Sequence, residues 1–154
     1  KALLVRGLAA VSPESSHRRF FTVRRQFSDA ELDALTNLDG DSRFALGATV
    51  RAVDGSVDPV GIARYARLAN APAVAEIAIL VVDAFQGQGV GRVLLRRLAS
   101  AALARGIARF RGIVQPDNRP IIRLLTRLAA EPRVAPEGEF LTIDIDLAAL
   151  RPAA

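Results

Sequence analysis

The chain has 154 residues and a globular composition, 51% hydrophobic and 24% charged, which predicts one domain over residues 1–154 with a buried core. It has no cysteine and a single histidine, His17, which argues against a disulfide framework, a thiolate nucleophile, a Ser-His-Asp triad and a metal cluster. Chemistry is therefore expected from carboxylates, amides and the backbone, without a metal.

The formal net charge is +5, and of the 21 basic residues only Lys1 is a lysine. The arginines are spread along the chain with few aromatic residues beside them, which argues against nucleic-acid binding. A polyanionic cofactor or an acidic partner surface would explain a local cluster of arginines equally well. No apolar stretch reaches the roughly 18 residues of a membrane span, and the N-terminus does not resemble a secretion signal. We therefore expect a cytoplasmic protein that binds neither nucleic acid nor membrane.

The first quarter of the chain predicts three helices. Residues 2–10 are apolar and helical in character, and Ser12-Pro13-Glu14-Ser15 is typical of a helix start, which predicts a second helix over residues 13–20. Ser28-Asp29-Ala30-Glu31 forms a capping box before leucines spaced three residues apart, which predicts a third helix over residues 29–38.

Three strands are predicted next, followed by two helices that alternate with two strands. Residues 44–53 and 60–68 flank the turn signal Asp54-Gly55 and predict a hairpin, and the apolar residues 74–82 predict a third strand. The later elements, in chain order, are an amphipathic helix over 91–105 that ends at Gly106, a strand over 110–114, a helix capped by Asp117-Asn118 and a strand over 140–147. The order β, β, β, α, β, α, β is that of a mixed α/β fold.

A glycine-rich loop joins the third strand to the first of these helices, Gln86-Gly87-Gln88-Gly89-Val90-Gly91. Glycines let the backbone approach a ligand, and a helix N-terminus presents unpaired N–H groups and a partial positive charge, so this layout favours a pyrophosphate. A Walker loop needs a Lys-Ser/Thr pair here, and a dinucleotide fingerprint needs its third glycine where Arg92 stands. The pattern left is Gln-x-x-Gly-x-Gly, with a tight turn that binds nothing as the alternative.

This loop after an apolar strand resembles the coenzyme A loop of the GNAT superfamily of N-acyltransferases. Within the superfamily, the chain most resembles the acetyltransferase domain of bacterial Pat-type protein-lysine acetyltransferases, and the resemblance extends from residue 3 to 147. Three further segments carry it: residues 12–21, Ala75-Glu76-Ile77-Ala78 and Asp117-Asn118-Arg119-Pro120. The resemblance implies the GNAT fold, a central, mixed and mostly antiparallel sheet flanked by helices. The family's short first strand, which carries an Arg-Pro element, is expected to be missing from this chain, to be disordered or to lie in a separate segment.

The resemblance also implies acetyl-CoA as co-substrate and a set of residues that contact it. Backbone N–H groups of the loop take the pyrophosphate, Gln86 braces the loop, and a bulge in the preceding strand frees an N–H that polarises the thioester carbonyl. The residues implied are Gly87, Gln88, Gly89, Val90, Gly91 and Arg92 for the phosphates and Leu80, Val81 and Val82 for the bulge. Asn118 is implied to hydrogen-bond the pantetheine arm, with a helix N-cap as its alternative role. For Arg92, Arg96 and Arg97, contact with the adenosine 3′-phosphate and a solvated helix face are both open.

Glu76 is the predicted general base. Amide formation from a thioester needs a neutral amine, whereas a lysine with an ordinary pKa of about 10.4 is mostly protonated at pH 7. Glu76 stands in an otherwise apolar strand, and in the resembled enzymes a glutamate of this motif accepts the proton. The alternative is a structural glutamate paired with an arginine of the neighbouring strand, such as Arg64.

One position departs from the superfamily pattern. Many members protonate the departing thiolate with a tyrosine seven residues after the asparagine, where this chain has Leu125, and its only tyrosine, Tyr65, lies on an earlier strand. Water or another residue is then expected to protonate the thiolate.

The function expected from the resemblance is acetyl transfer from acetyl-CoA to a protein lysine, with an acyl-CoA synthetase as one candidate acceptor. A small-molecule amine is the alternative acceptor, and a non-catalytic acyl-CoA sensor is the alternative of another class. The oligomeric state is left open.

Overall fold

A computed structural model of the chain describes residues 38–151. The helices expected over residues 2–10 and 13–20, nearly all of that over 29–38, and the segment 12–21 lie outside this range. No helix within 38–151 has both the length and the apolar character needed to cross a membrane.

The described residues build one six-stranded sheet with the spatial order β1-β2-β3-β4-β6-β5. Neighbouring strands are antiparallel except for the parallel pair β3 and β4, so the sheet is mixed and mostly antiparallel, as expected. The strands are β1 Arg43–Arg51, β2 Val57–Leu68, β3 Ala71–Val81, β4 Arg109–Val114, β5 Arg133–Glu137 and β6 Phe140–Asp146.

Two α-helices connect the strands on one face of the sheet: α1 Val90–Ala104 and α2 Arg119–Leu128. Helix α1 links β3 to β4, and such a crossover is what allows these two strands to be parallel. Short 3₁₀ turns, Asp83–Phe85 and Leu147–Ala149, follow β3 and β6.

The core lies between the helices and the face of the sheet that they cover. Alternate strand residues such as Tyr65, Phe110 and Ile143 point into it and are fully buried. Helix α2 approaches β4 closely at Gly112, where an added Cβ would lie 2.8 Å from Leu125 Cδ1. The helical residues that complete the core are Leu94, Leu95, Leu98, Ala99, Ala102, Leu125 and Leu128.

The strand β5 was not predicted from the sequence. All five of its residues are exposed, and within residues 38–151 it pairs with β6 alone, at the edge of the sheet. A strand with no buried face shows no apolar alternation, and Pro136 within it is tolerated because an edge strand needs fewer ladder hydrogen bonds. The other strands begin and end within three residues of their predicted bounds.

The sheet opens between its two parallel strands. Strands β3 and β4 pair only from Val74 opposite Arg109 to Ile77 opposite Gly112. Beyond that point the end of β3 stays with β2, while Ile113 and Val114 stay with β6. The two strands therefore diverge, and the gap between them is the site described next.

Candidate active site

A cavity of about 830 Å³ fills the gap between β3 and β4. Its walls are the end of β3, the glycine loop, the first turns of α1, the end of β4 and one side of α2. Glu76 lies at one part of this cavity, and the loop glycines Gly87, Gly89 and Gly91 form another. The structure thus brings the predicted base and the predicted phosphate loop into one cavity.

The loop leaves several backbone donors at the N-terminus of α1. Gly89 is the N-cap of the helix, with φ of 86° and no side-chain cap, and the first intrahelical hydrogen bond runs from the Val93 N–H to the Gly89 carbonyl. Within residues 38–151, the N–H groups of Val90, Gly91 and Arg92 donate to no protein acceptor. Unpaired N–H groups at a helix N-terminus attract an anion, so the loop has the donors that a pyrophosphate requires.

Two glutamines tie the loop to the residues that precede it. Gln86 Nε2 donates to the Val81 carbonyl at 3.1 Å and to Asp83 Oδ1 at 3.3 Å. Gln88 Nε2 donates to the Ala84 carbonyl at 3.1 Å. The geometry of Gln86 is that of a brace, the role that the resemblance implied.

The three loop glycines meet two different requirements. Gly87 and Gly89 have φ of 75° and 86°, the left-handed region that favours glycine, and a Cβ at either position would contact nothing. Gly91 is an ordinary helical residue, but a Cβ there would lie 3.0 Å from Leu124 Cδ2. Gly91 therefore allows the N-terminus of α1 to approach α2.

The bulge expected at Leu80, Val81 and Val82 is not present. The β2–β3 register runs without interruption from Ala75 to Val81, and the Val82 N–H still donates to the Val60 carbonyl at 2.8 Å. Because successive N–H groups of a strand alternate in direction, those of Ile79 and Val81 face the gap, whereas those of Leu80 and Val82 face β2. Divergence from β4, rather than a bulge, exposes the β3 backbone to the cavity.

Glu76 is exposed, although its neighbours in sequence are apolar. Among residues 38–151 its carboxylate makes neither a hydrogen bond nor an ion pair, so the predicted alternative of a salt bridge to Arg64 is not found. Arg64 lies opposite Ala78 rather than opposite Glu76. Burial and the nearby Arg43 lower the pKa of Arg64, while the Glu76 carboxylate opposes that shift.

Asn118 caps α2 and also lines the cavity. Its Oδ1 accepts a hydrogen bond from the Ile121 N–H at 3.4 Å, so the N-cap interpretation is confirmed. The capping bond leaves the side-chain NH₂ group of Asn118 without an acceptor in the described part of the chain.

The position that carries a tyrosine in many GNAT enzymes holds a buried leucine here, Leu125, which lines the cavity beside Gly112. Tyr65 does not replace it. Its ring is fully buried against Phe44, and its hydroxyl donates to the Asp41 carbonyl at 3.0 Å, outside the cavity lining.

Arginines give the cavity its charge. Among the described lining residues, Glu76 is the only carboxylate. Two of the lining arginines lie on α1, two on α2 and one after the last 3₁₀ turn: Arg92, Arg96, Arg123, Arg127 and Arg151. Arg96 Nη1 donates to the Arg151 carbonyl at 2.7 Å, which holds the end of the described chain against α1. Arg97, named from the sequence as a phosphate candidate, is exposed and does not line the cavity.

Sequence reasoning missed Arg123, Arg127 and Arg151. The four-residue spacing of Arg123 and Arg127 places them on one side of α2 and could have indicated the first two. Nothing local could indicate Arg151, because only the tertiary fold brings it to the cavity.

No group of three or more His, Cys, Asp or Glu side chains within residues 38–151 could hold a metal ion.

Comparison with known proteins identifies the GNAT family, the family that the sequence motifs resemble. The model of the Acetyltransferase (GNAT) family matches residues 12–130. Acetyltransferase Pat of Mycolicibacterium smegmatis is 33% identical over 125 residues, which are 80% of this chain and 36% of that protein. An acetyltransferase of Pseudomonas aeruginosa is 33% identical over 109 residues, 71% of this chain and 58% of the relative. The crystal structure of the GNAT domain of S. lividans PAT has a TM-score of 0.82 and 32% identity, covering 94% of this chain and 84% of that one.

The chain belongs to the GNAT family of acetyltransferases and has its mixed α/β fold, as the resemblance predicted. Members of this family are acetyltransferases that use acetyl-CoA and an acceptor. The chain spans between about a third and three fifths of the length of the two curated relatives.

Proposed function

We propose that this chain, as a single GNAT domain, transfers the acetyl group of acetyl-CoA to the side-chain amine of a lysine in a protein. Glu76 is the general base, and the observation that carries the proposal is its position. It is an exposed, unpaired carboxylate among residues 38–151, in the same cavity as a loop whose backbone donors suit a pyrophosphate.

Binding of acetyl-CoA follows from the charges and donors of the cavity. The loop from Gln86 to Arg92 takes the pyrophosphate, and the arginines that line the cavity neutralise phosphate charge. The pantetheine arm passes the end of β3 and the free amide of Asn118, because Leu80, Val81 and Asn118 line the cavity. Val82, which follows the strand, is buried and does not line it.

The reaction is an acyl transfer in which an N–C bond forms and the C–S bond breaks. Glu76 takes a proton as the amine attacks the thioester carbonyl, and an N–H of Ile79 or Val81 stabilises the negative charge that develops on the carbonyl oxygen. The electron pair of the broken bond leaves with sulfur. With Leu125 in place of a tyrosine, water supplies the proton that the thiolate accepts.

A lysine on a protein surface suits the exposure of Glu76, since a base at the open side of the cavity can meet an amine that is attached to a large molecule. The similarity to Pat proteins supports the same acceptor. Acyl-CoA synthetases are the first acceptors to assay, beside a panel of small amines.

The substitution Glu76→Gln tests the base. The variant should fold, because Glu76 has no ion pair within residues 38–151 to lose, and kcat/KM for the amine should fall by about 10² or more while the affinity for acetyl-CoA changes little. Raising the pH should restore part of the rate, because the amine then loses its proton unaided. Steady-state kinetics and calorimetric binding make these measurements.

Glu139→Gln is the matched control, since it removes an exposed carboxylate from the turn between β5 and β6. A Glu76→Gln variant as active as this control would remove Glu76 from the mechanism. Turnover of small amines without turnover of protein acceptors would overturn the proposed acceptor class while leaving the base in place.

A further inference from the structure

A charged arginine stands between two carboxylates on the face of the sheet opposite the two helices. Glu76 on β3 is the register partner of Arg111 on β4, and Arg111 is the register partner of Asp144 on β6. Register partners project from the same face, and neighbouring strands lie only about 4.8 Å apart. Arg111 is therefore within side-chain reach of either carboxylate.

Arg111 is hydrogen-bonded to only one of the two. Its Nε donates to Asp144 Oδ1 at 2.9 Å, and its Nη2 donates to Asp144 Oδ2 at 3.1 Å. This two-bond fork is the strongest geometry available to an arginine and a carboxylate, and it fixes the plane of the guanidinium. The Asp144 side chain is 16% exposed, so the pair is partly shielded from water.

The pKa values of Arg111 and Asp144 shift in the directions that an ion pair produces. Hydrogen bonding to Asp144 raises the pKa of Arg111, and hydrogen bonding to Arg111 lowers the pKa of Asp144. Glu76 also acts on Arg111 through its charge, yet no hydrogen bond or ion pair joins them in the described part of the chain. Among the described residues, Arg64 of β2 is another cation on which the Glu76 charge acts, and it forms no ion pair with Glu76 either.

We propose that Asp144 is a positioning residue that holds Arg111 away from Glu76 and thereby keeps the Glu76 carboxylate free to accept the proton of the amine. This inference rests on the proposed role of Glu76 as base. If Asp144 did not engage the guanidinium, Arg111 would be free to pair with Glu76. Such a pair would occupy the oxygens of Glu76 and stabilise its charged form, which opposes proton acceptance.

The test compares Asp144→Asn, Arg111→Gln and the double variant in the whole chain, by kcat and KM for the amine, calorimetric affinity for acetyl-CoA, and melting temperature. Asp144→Asn should lower kcat/KM for the amine about tenfold, a part of the effect of removing the base. The affinity of this variant for acetyl-CoA should stay within twofold of that of the unmodified chain. The double variant should recover to the level of Arg111→Gln, because without the guanidinium nothing competes for Glu76.

Recovery of activity in the double variant is the result that a purely structural ion pair would not give, since both partners of the pair are then lost. A double variant as slow as Asp144→Asn, or an Asp144→Asn variant as active as the Glu139→Gln control, would overturn the inference. If Asp144→Asn does not fold, Arg111→Lys replaces it, because lysine keeps the charge but cannot form the fork. Equal activity of Arg111→Lys and Arg111→Gln would then overturn it.

The Glu76→Gln variant separates the two proposals. Full activity of Glu76→Gln overturns the assignment of the base and this inference with it. An impaired Glu76→Gln beside a fully active Asp144→Asn overturns the role of Asp144 alone.

Discussion

At the scale of single residues, the geometry of the site depends on the backbone conformation of Gly89 and on the side-chain amide of Asn118. Gly89 supplies a left-handed N-cap, so the first turn of α1 keeps its backbone donors free of any protein side chain. Asn118 uses one end of its amide to cap α2 and presents the other to the cavity. The capping role of Asn118 could be predicted from the sequence because it depends on a contact three residues away, whereas the N-cap at Gly89 was not predicted.

Gly89→Glu should abolish the thermal stabilisation by acetyl-CoA, because it places a side chain and a negative charge where we propose that the pyrophosphate binds. In the unmodified chain, acetyl-CoA at 100 times its dissociation constant should stabilise the fold by about 2.7 kcal/mol. Differential scanning calorimetry with and without acetyl-CoA measures the shift, and NAD should give none.

Gly55→Glu provides the matched control. Gly55 has the same φ of 86° and the same open surroundings, but it lies in the turn between β1 and β2. Both variants should lose roughly 1–2 kcal/mol of stability to backbone strain. If Gly89→Glu kept the acetyl-CoA shift that Gly55→Glu shows, the phosphate site would have to lie elsewhere.

At the scale of elements, α2 serves the core on one side and the cavity on another. Leu125 and Leu128 are buried against the sheet, whereas Arg123 and Arg127 are exposed and line the cavity. The apolar spacing predicted the helix and its buried side. It could not indicate that the charged side lines a cavity, because a helix side that faces solvent has the same pattern of charged residues.

The double substitution Arg123→Gln and Arg127→Gln should weaken acetyl-CoA binding by about tenfold or more, since hydrogen bonds to charged groups contribute about 1.5–3 kcal/mol each. The melting temperature without ligand should hardly change, because both side chains are exposed. Isothermal titration calorimetry at two salt concentrations measures the loss, and the salt dependence of the variant should be shallower.

Arg119→Gln is the control on the same helix, because Arg119 is exposed and does not line the cavity. A double variant that binds acetyl-CoA as tightly as Arg119→Gln would show that the phosphates do not contact α2.

At the scale of the whole molecule, one divergence in the sheet creates the site. Strands β3 and β4 pair over four residues and then separate, each held by its other neighbour. The gap exposes β3 backbone beside the N-terminus of α1 and leaves Glu76 where pairing ends. The order of the elements predicted the fold class, whereas the gap depends on registers between strands that lie far apart in sequence.

The folded chain should lose stability in acid. Hydrogen bonds lower the pKa of three aspartates below the ordinary range: from backbone N–H groups at Asp39, from Ser56 at Asp54, and from Arg111 at Asp144. A carboxylate with a lowered folded pKa stabilises the fold above its unfolded value of about 3.9, and that stability is lost as the pH falls below it. Melting temperatures between pH 7 and pH 2.5 should therefore drop below about pH 4.

Asp144→Asn should reduce this dependence on pH, because the variant has no carboxylate to protonate at that position. It should be less stable than the unmodified chain at pH 7 and approach it near pH 2.5. If the melting temperatures of the variant and the unmodified chain differed by the same amount at every pH, the lowered pKa of Asp144 would be contradicted.

The sequence by itself determined the glycine loop, the N-cap of α2 and the periodic strands and helices, whose order predicted a mixed α/β fold, since these depend on local backbone conformation and apolar spacing. The GNAT fold itself was implied by the resemblance of the motifs to that family. Only the tertiary structure decided that Gly91 permits close helix packing, that β5 completes the sheet, that Glu76 is exposed and that Arg111 binds Asp144. Arg111 and Asp144 are separated by 33 positions in the chain. Their contact, like the gap between β3 and β4, follows from strand register, which no short stretch of sequence encodes.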